Sequence, residues 1–209
     1  MKLRDISQPL SAATAVWPGD QPVELAWTMR RERGDSVNVA AVTFSVHAGT
    51  HADGPLHVTD DGAGAGTLPL EAYIGPALVV DARGHERLDE RALDGVPLEG
   101  VERLLFRTRE RGDAAVFPER IAALSPALAR RLAAGGLRLL GTDAPSVDPL
   151  DAKELTAHRV LAEAGVVHLE NLVLDDVPPG RYTLVALPLR LLEADSAPVR
   201  AVLIEGETL

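Results

Sequence analysis

Short apolar runs of β character, separated by turn residues, are the feature that most constrains the fold of this chain. They predict strands, and only two segments have a helical pattern: Ala127–Ala134, after the cap Ser125-Pro126, and Asp151–Ala164, which ends at Gly165. Many strands and few helices predict an α/β fold with a sheet of mixed direction. The predicted strands are Val23–Met29, Val39–Val46, Ala77–Asp81, Val101–Thr108, Leu137–Gly141, Val166–Leu169, Tyr182–Leu187 and Val199–Ile204.

Length and composition limit the classes of protein to consider. A chain of 209 residues with 46% hydrophobic residues can bury its own core, and we expect one domain spanning residues 1–209. The absence of cysteine excludes disulfides, thiolate catalysis and cysteine-based metal sites.

The charge pattern favours a small-molecule partner. The formal net charge of −10 disfavours nucleic acid as a partner. The first residues lack the apolar stretch of a signal peptide, and no apolar run reaches the roughly 20 residues that span a bilayer. We therefore expect a cytoplasmic protein that binds neither nucleic acid nor membrane.

The segment 45–58 concentrates groups that bind metals. Three of the six histidines of the chain lie here, His47, His51 and His57, together with one carboxylate, Asp53. Imidazole and carboxylate are the ligands that divalent zinc and manganese accept when no thiolate is present. Such a concentration is unusual for surface polar residues, so it predicts a metal site.

The backbone around these residues suits a ligand-bearing loop. Alternation before His47 predicts a strand whose apolar side chains, Val42, Phe44 and Val46, face the core, with His47 at its end. Gly49 permits a sharp turn, and the following Gly-Pro pair stops any helix, so several ligands can converge.

The run H-A-G-T-H-A-D-G-P-L-H at His47–His57 resembles the H-x-G-T-H-x-D-x-P-x-H motif of the metal-dependent cyclase family. The likeness covers nearly the whole chain, and it implies a single α/β domain resembling the swivelling β/β/α fold of that family. Its flanking segments are Asp5–Ser7, Trp17–Asp20, Gly141–Asp148, Leu174–Pro178, Leu187–Leu189 and Ser196–Ala201.

The resemblance implies two zinc ions per subunit, with manganese or cobalt as alternatives. By the family pattern His47, His51 and Asp53 hold one ion, and Asp53 also touches a second ion, which His158 and Glu170 complete. Taken without the family pattern, His158 reads as a polar residue on a helix. Glu170 reads as a carboxylate at a helix start or a strand end.

Further roles follow from the same resemblance, with alternatives. His57 matches the family's proton donor and acceptor, although it could be a fourth ligand. Trp17 is the expected contact for an aryl ring of the substrate, although it could cover a loop or a dimer interface. His168 shares a strand face with Glu170, but the family pattern has no place for it. His85 reads as a surface loop residue.

The activity that the resemblance implies is zinc-dependent hydrolysis of N-formyl-L-kynurenine to L-kynurenine and formate, a step of tryptophan degradation, by a homodimer. The alternatives are hydrolysis of another amide or a lactone by a member of the same family, and a metal-binding protein without catalysis. The chain lacks the G-x-S-x-G pattern of serine hydrolases, which excludes that mechanism.

Overall fold

The computed structural model describes residues 1–206, and in them the chain forms two α-helices, α1 (Pro126–Ala134) and α2 (Thr156–Glu163), and thirteen strands. Residues 207–209 of the predicted domain lie outside the described residues. The strands are β1 (Lys2–Asp5), β2 (Glu24–Met29), β3 (Val39–Thr43), β4 (His51–Asp53), β5 (Ile74–Asp81), β6 (Arg87–Leu88), β7 (Arg103–Arg107), β8 (Ala123–Leu124), β9 (Leu139–Thr142), β10 (Val167–Glu170), β11 (Gly180–Val185), β12 (Ser196–Pro198) and β13 (Val202–Glu205).

Nine of these strands form one mixed sheet in the order β1-β13-β11-β5-β7-β9-β10-β4-β12. The central strands β5, β7, β9 and β10 are parallel, and the strands on both sides of them pair antiparallel. The predicted α/β class, with a mixed sheet and few helices, is confirmed.

The central strands are apolar on both faces because both faces are covered. Along β7, Leu104 and Phe106 pack into the same core cluster as Leu128 of α1 and Leu161 of α2. Leu105 points the other way, into a second cluster. Alternation with a period of two thus divides one strand between two cores, as expected for buried parallel strands.

The two helices begin where carboxyl or hydroxyl oxygens accept their first backbone N–H groups. Ser125 Oγ accepts a hydrogen bond from the Leu128 amide at 3.1 Å, which confirms the predicted start of α1. The predicted Asp151–Ala164 helix is too long at its start. The carboxylate of Asp148 accepts from the amides of Ala157 and His158, both at 2.9 Å, so α2 begins only at Thr156.

The predicted strand before the histidine segment is wrong in its length and in its environment. β3 ends at Thr43, not at Val46, and pairs only with β2 in a separate two-stranded sheet. Val42, expected in the core, is 51% exposed, because neither face of this hairpin packs on the main sheet. His47 consequently lies in a turn between β3 and β4.

Neither helix within residues 1–206 is long and apolar enough to cross a membrane.

Candidate metal centre

Two neighbouring strands supply the centre of the site. β4 and β10 run antiparallel, with His51 opposite Glu170 and Asp53 opposite His168. Because alternate residues of a strand share one face, these cross-strand pairs put four side chains of types that can bind metal side by side. All four are buried, with exposed fractions of 5% or less.

The other predicted ligands reach this centre from different elements. His47 comes from the turn before β4, and its Nδ1 lies 3.2 Å from Asp53 Oδ1. His158 comes from α2, and its Nε2 lies 3.3 Å from Glu170 Oε1 and 3.6 Å from Asp53 Oδ2. Asp53 and His158, which are 105 positions apart in sequence, thus meet in the tertiary structure.

Hydrogen bonds at the far side of two imidazole rings aim their other nitrogens at the carboxylates. Nδ1 of His51 donates to the carbonyl oxygen of Gly49 at 2.8 Å. Gly49 has a φ of +65°, and this left-handed turn brings its carbonyl oxygen to the ring. Nδ1 of His158 donates to Asp148 Oδ2 at 2.7 Å. With Nδ1 as the donor, the neutral form of each ring has its lone pair on Nε2, the arrangement that metal-binding histidines use.

Two buried atoms lack the partner that a metal ion would supply. Among the described residues, His51 Nε2 and Asp53 Oδ1 are buried and have no hydrogen-bond partner. Two groups of side chains bring candidate ligand atoms within 4.8 Å of one another: Asp53, His158, His168 and Glu170; and His47, Asp53 and His57. A nitrogen and oxygen donor set of this kind fits zinc, manganese or cobalt.

Without an ion, the imidazoles and carboxylates hold each other in the charged form. Burial disfavours a charged His47, but the neighbouring carboxylates of Asp195 and Asp53 raise its pKa to about 10. Burial and repulsion from Asp53 would raise the pKa of Glu170, but the neighbouring imidazoles of His158 and His51 lower it to about 2. The carboxylates are therefore anionic and ready to bind cations.

His57 lies at the edge of the cluster and is held by a carboxylate that the sequence did not indicate. Its Nδ1 lies 2.9 Å from Asp195 Oδ2, and the same oxygen lies 2.8 Å from His47 Nε2. The hydrogen bonds with His47 and His57 lower the pKa of Asp195 well below its usual range, although its partial burial acts in the opposite direction. Asp195 is 138 residues from His57, and the only sequence signal was its place just before the family-like segment Ser196–Ala201.

A cavity of about 360 Å³ opens onto the cluster. His51, His158 and Glu170 are among its lining residues, and Trp17 forms part of its wall, 39% exposed. The ring of Trp17 meets that of Phe117 edge to face, with centroids 5.3 Å apart. The volume falls in the range of small-molecule sites, and the two rings offer aryl contacts.

The structure therefore brings His47, His51, Asp53, His57, His158 and Glu170 together, with Trp17 on the adjoining cavity wall. His168, which the family pattern omits, lies in the same cluster. His85 lies in a loop and belongs to neither group of candidate ligands.

Comparison with known proteins gives a consistent result. Residues 4–149 match the Cyclase family, described as "Putative cyclase". The chain is 48% identical over 199 residues to a kynurenine formamidase of Bacillus cereus, covering 95% of each chain. It is 47% identical over 211 residues to a kynurenine formamidase of Salinibacter ruber, covering 97% of each.

A solved structure described as a potential metal-dependent hydrolase with cyclase activity has the same fold. It superposes with a TM-score of 0.84 at 31% sequence identity, covering 99% of this chain and 98% of the other.

Proposed function

This chain belongs to the cyclase family, and from that premise we propose that it hydrolyses N-formyl-L-kynurenine to L-kynurenine and formate, a step of tryptophan degradation. One observation carries the proposal: a buried cluster of imidazoles and carboxylates borders a cavity with an aromatic wall. The reaction needs those two elements: a group that activates water and a surface that holds an arylamine.

The proposed cofactor is a pair of zinc ions. His47, His51 and Asp53 would hold one ion, and Asp53, His158 and Glu170 the other, with both carboxylates shared between the ions. Shared anions offset the repulsion between two dications. Bound there, the ions would polarise the formyl oxygen and lower the pKa of water, which is the Lewis-acid chemistry of such sites.

His57 is the proposed proton carrier. Breaking the amide requires a proton at the arylamine nitrogen as it leaves, and an imidazole next to the cavity can deliver it. Asp195 would keep the ring oriented, because a hydrogen bond at Nδ1 leaves Nε2 free to face the substrate. The alternative role for His57 is that of a metal ligand.

The cavity wall supports the choice of substrate. Trp17 and Phe117 would pack against the aryl ring. Arg109 also lines the cavity, and its buried Nε has no hydrogen-bond partner among residues 1–206. A guanidinium in that position suits the amino-acid carboxylate that N-formyl-L-kynurenine carries.

We further propose that residues 1–209 form one domain, and that the protein is a homodimer that acts in the cytoplasm. The β2–β3 hairpin exposes Leu25, Trp27 and Val42, at 55%, 43% and 51%. Exposed apolar side chains clustered on one hairpin favour association with a second copy.

The test is a substrate panel with purified, zinc-loaded protein. We expect fast release of kynurenine from N-formyl-L-kynurenine and slower hydrolysis of N-formylaniline, which lacks the carboxylate for Arg109. Turnover of other amides or lactones without release of kynurenine would favour a different family activity. Bound zinc without hydrolysis of any of these substrates would favour a non-catalytic metal-binding protein.

A further inference from the structure

The proposed ligand set leaves out His168, although this side chain is buried against both shared carboxylates. His168 is 5% exposed, and its Nε2 lies 3.1 Å from Asp53 Oδ2 and 3.8 Å from Glu170 Oε1. A buried imidazole thus lies against both carboxylates of the proposed ligand set.

The backbone holds His168 in this position. Its strand neighbours Val167 and Leu169 belong to an apolar core cluster on the opposite face of β10. Because side chains alternate along a strand, burying those two residues turns His168 toward the face that carries Glu170. The antiparallel pairing with β4 then puts it directly opposite Asp53.

Four of the six distances among the candidate ligand atoms are close to the edge length of a tetrahedron around a zinc ion. His158 Nε2 lies 3.6 Å from Asp53 Oδ2 and 3.3 Å from Glu170 Oε1. With the 3.1 Å and 3.8 Å contacts of His168, four edges cluster near the same length. A tetrahedral zinc ion with ligands at about 2.0–2.1 Å has edges of about 3.3–3.4 Å.

We propose that His168 is a protein ligand of the second ion, which is then held by His158, His168, one oxygen of Asp53 and one oxygen of Glu170. This assignment rests on the proposed metal-dependent function and adds one ligand to the set that the family pattern implies. It makes the second site a closed one with four protein ligands.

The surroundings of His168 agree with a ligand on the side away from the substrate. His47, His51, His158 and Glu170 line the 360 Å³ cavity, whereas Asp53 and His168 do not. His168, Asp53 and His158 border a separate void of about 40 Å³, which is far too small for an arylamine substrate. His168 would therefore hold the second ion from the side away from the cavity, while His158 and Glu170 would hold it from the cavity side.

The decisive variant is His168→Gln. A glutamine amide can still donate a hydrogen bond to Asp53, but it is a poor zinc ligand. Metal-free protein is titrated with Zn²⁺ against a chromogenic chelator. We expect the unaltered protein to bind two ions and His168→Gln to bind one of them at least about 100-fold more weakly, beyond the roughly 10–100-fold loss typical of residues that only orient a ligand.

The matched control is His85→Gln, which changes an imidazole outside the cluster and should leave both affinities unchanged. The assignment is overturned if neither of the two zinc affinities falls by about 100-fold or more in His168→Gln, because a hydrogen bond to Asp53 then explains the contact. It is also overturned, together with the proposed function, if the unaltered protein binds no ion. Two bound ions with loss of one in the variant, but no release of kynurenine, would sustain the assignment and reject the function.

A measurement on the unaltered protein covers the case in which the variant does not fold. Nitrogen-labelled protein is loaded with a spin-half cadmium isotope, and histidine resonances are examined for coupling to the metal. Coupling between cadmium and Nε2 of His168 is expected. Its absence, with coupling present at His158, would show that His168 is not a ligand.

Discussion

The carboxylate of Asp195 accepts a hydrogen bond from Nδ1 of His57, with Oδ2 2.9 Å from the ring nitrogen. The carboxylate is contributed by the residue just before β12, and the ring by the turn after β4. These strands pair antiparallel, so the sheet itself sets the distance between the two groups. A carboxylate fixed in this way selects one tautomer of the imidazole and one ring orientation.

Asp195→Asn should therefore lower kcat for formyl-kynurenine by about 10- to 100-fold, part of the roughly 10²–10⁴-fold that a positioned proton carrier contributes. KM should change little, because Asp195 orients His57 and is not expected to touch the substrate. Asp195→Glu should recover part of kcat, and Asp61→Asn, at an exposed carboxylate, should change nothing. If Asp195→Asn and Asp195→Glu lose kcat equally and both have a lowered Tm, the role of Asp195 is structural only.

Removal of metal should abolish the activity. After treatment with a strong chelator and dialysis, we expect no measurable release of kynurenine, and zinc or manganese added back should restore it. Metal content is measured in the same samples. Undiminished turnover by protein verified to be metal-free would contradict the proposed role of the cluster.

Zinc binding should release protons near neutral pH. The pKa of His47 in the metal-free protein is raised to about 10, so its imidazole is protonated at pH 7 and must lose a proton to become a ligand. Affinity should therefore fall as the pH is lowered, by about tenfold per pH unit for each proton displaced. Calorimetry in buffers of different ionisation enthalpy counts the protons, and His85→Ala should release the same number. Zinc binding at pH 7 without proton release would contradict this assignment.

His57→Ala should separate proton transfer from metal binding. We expect kcat to fall by about 10²–10⁴-fold while zinc content stays near that of the unaltered protein. His51→Ala, which removes a buried imidazole at the centre of the cluster, should instead lose zinc. If both variants lose zinc to the same extent, His57 is a ligand.

Trp17→Ala should raise KM more than it lowers kcat, because ring packing stabilises the bound substrate and the transition state alike. A loss of one aromatic contact predicts a rise in KM of about two- to tenfold. Trp27→Ala is the control, since Trp27 lies on the β2–β3 hairpin beneath Arg30 and is not among the cavity residues. Equal losses for formyl-kynurenine and a small non-aromatic formamide would assign Trp17 a structural role.

The sequence by itself determined the fold class and the centre of the site. Its apolar runs located the central strands, because a strand buried on both faces must be apolar throughout. Ser125 and Gly135 marked the ends of α1, since caps act within one turn of the chain. The spacing of His47, His51 and Asp53 indicated the candidate metal site because these residues are close in sequence.

Only the tertiary structure decided which strands are covered and which distant residues reach the site. Periodicity alone assigned Val42 to a core, but a side chain is buried only if another layer covers it, and nothing in the sequence says that the β2–β3 hairpin stands apart. Asp195 and His168 reach the cluster through the pairing of β12 and β10 with β4. Which strands pair is a long-range property, set by packing across more than 100 positions of the chain, and no local pattern encodes it.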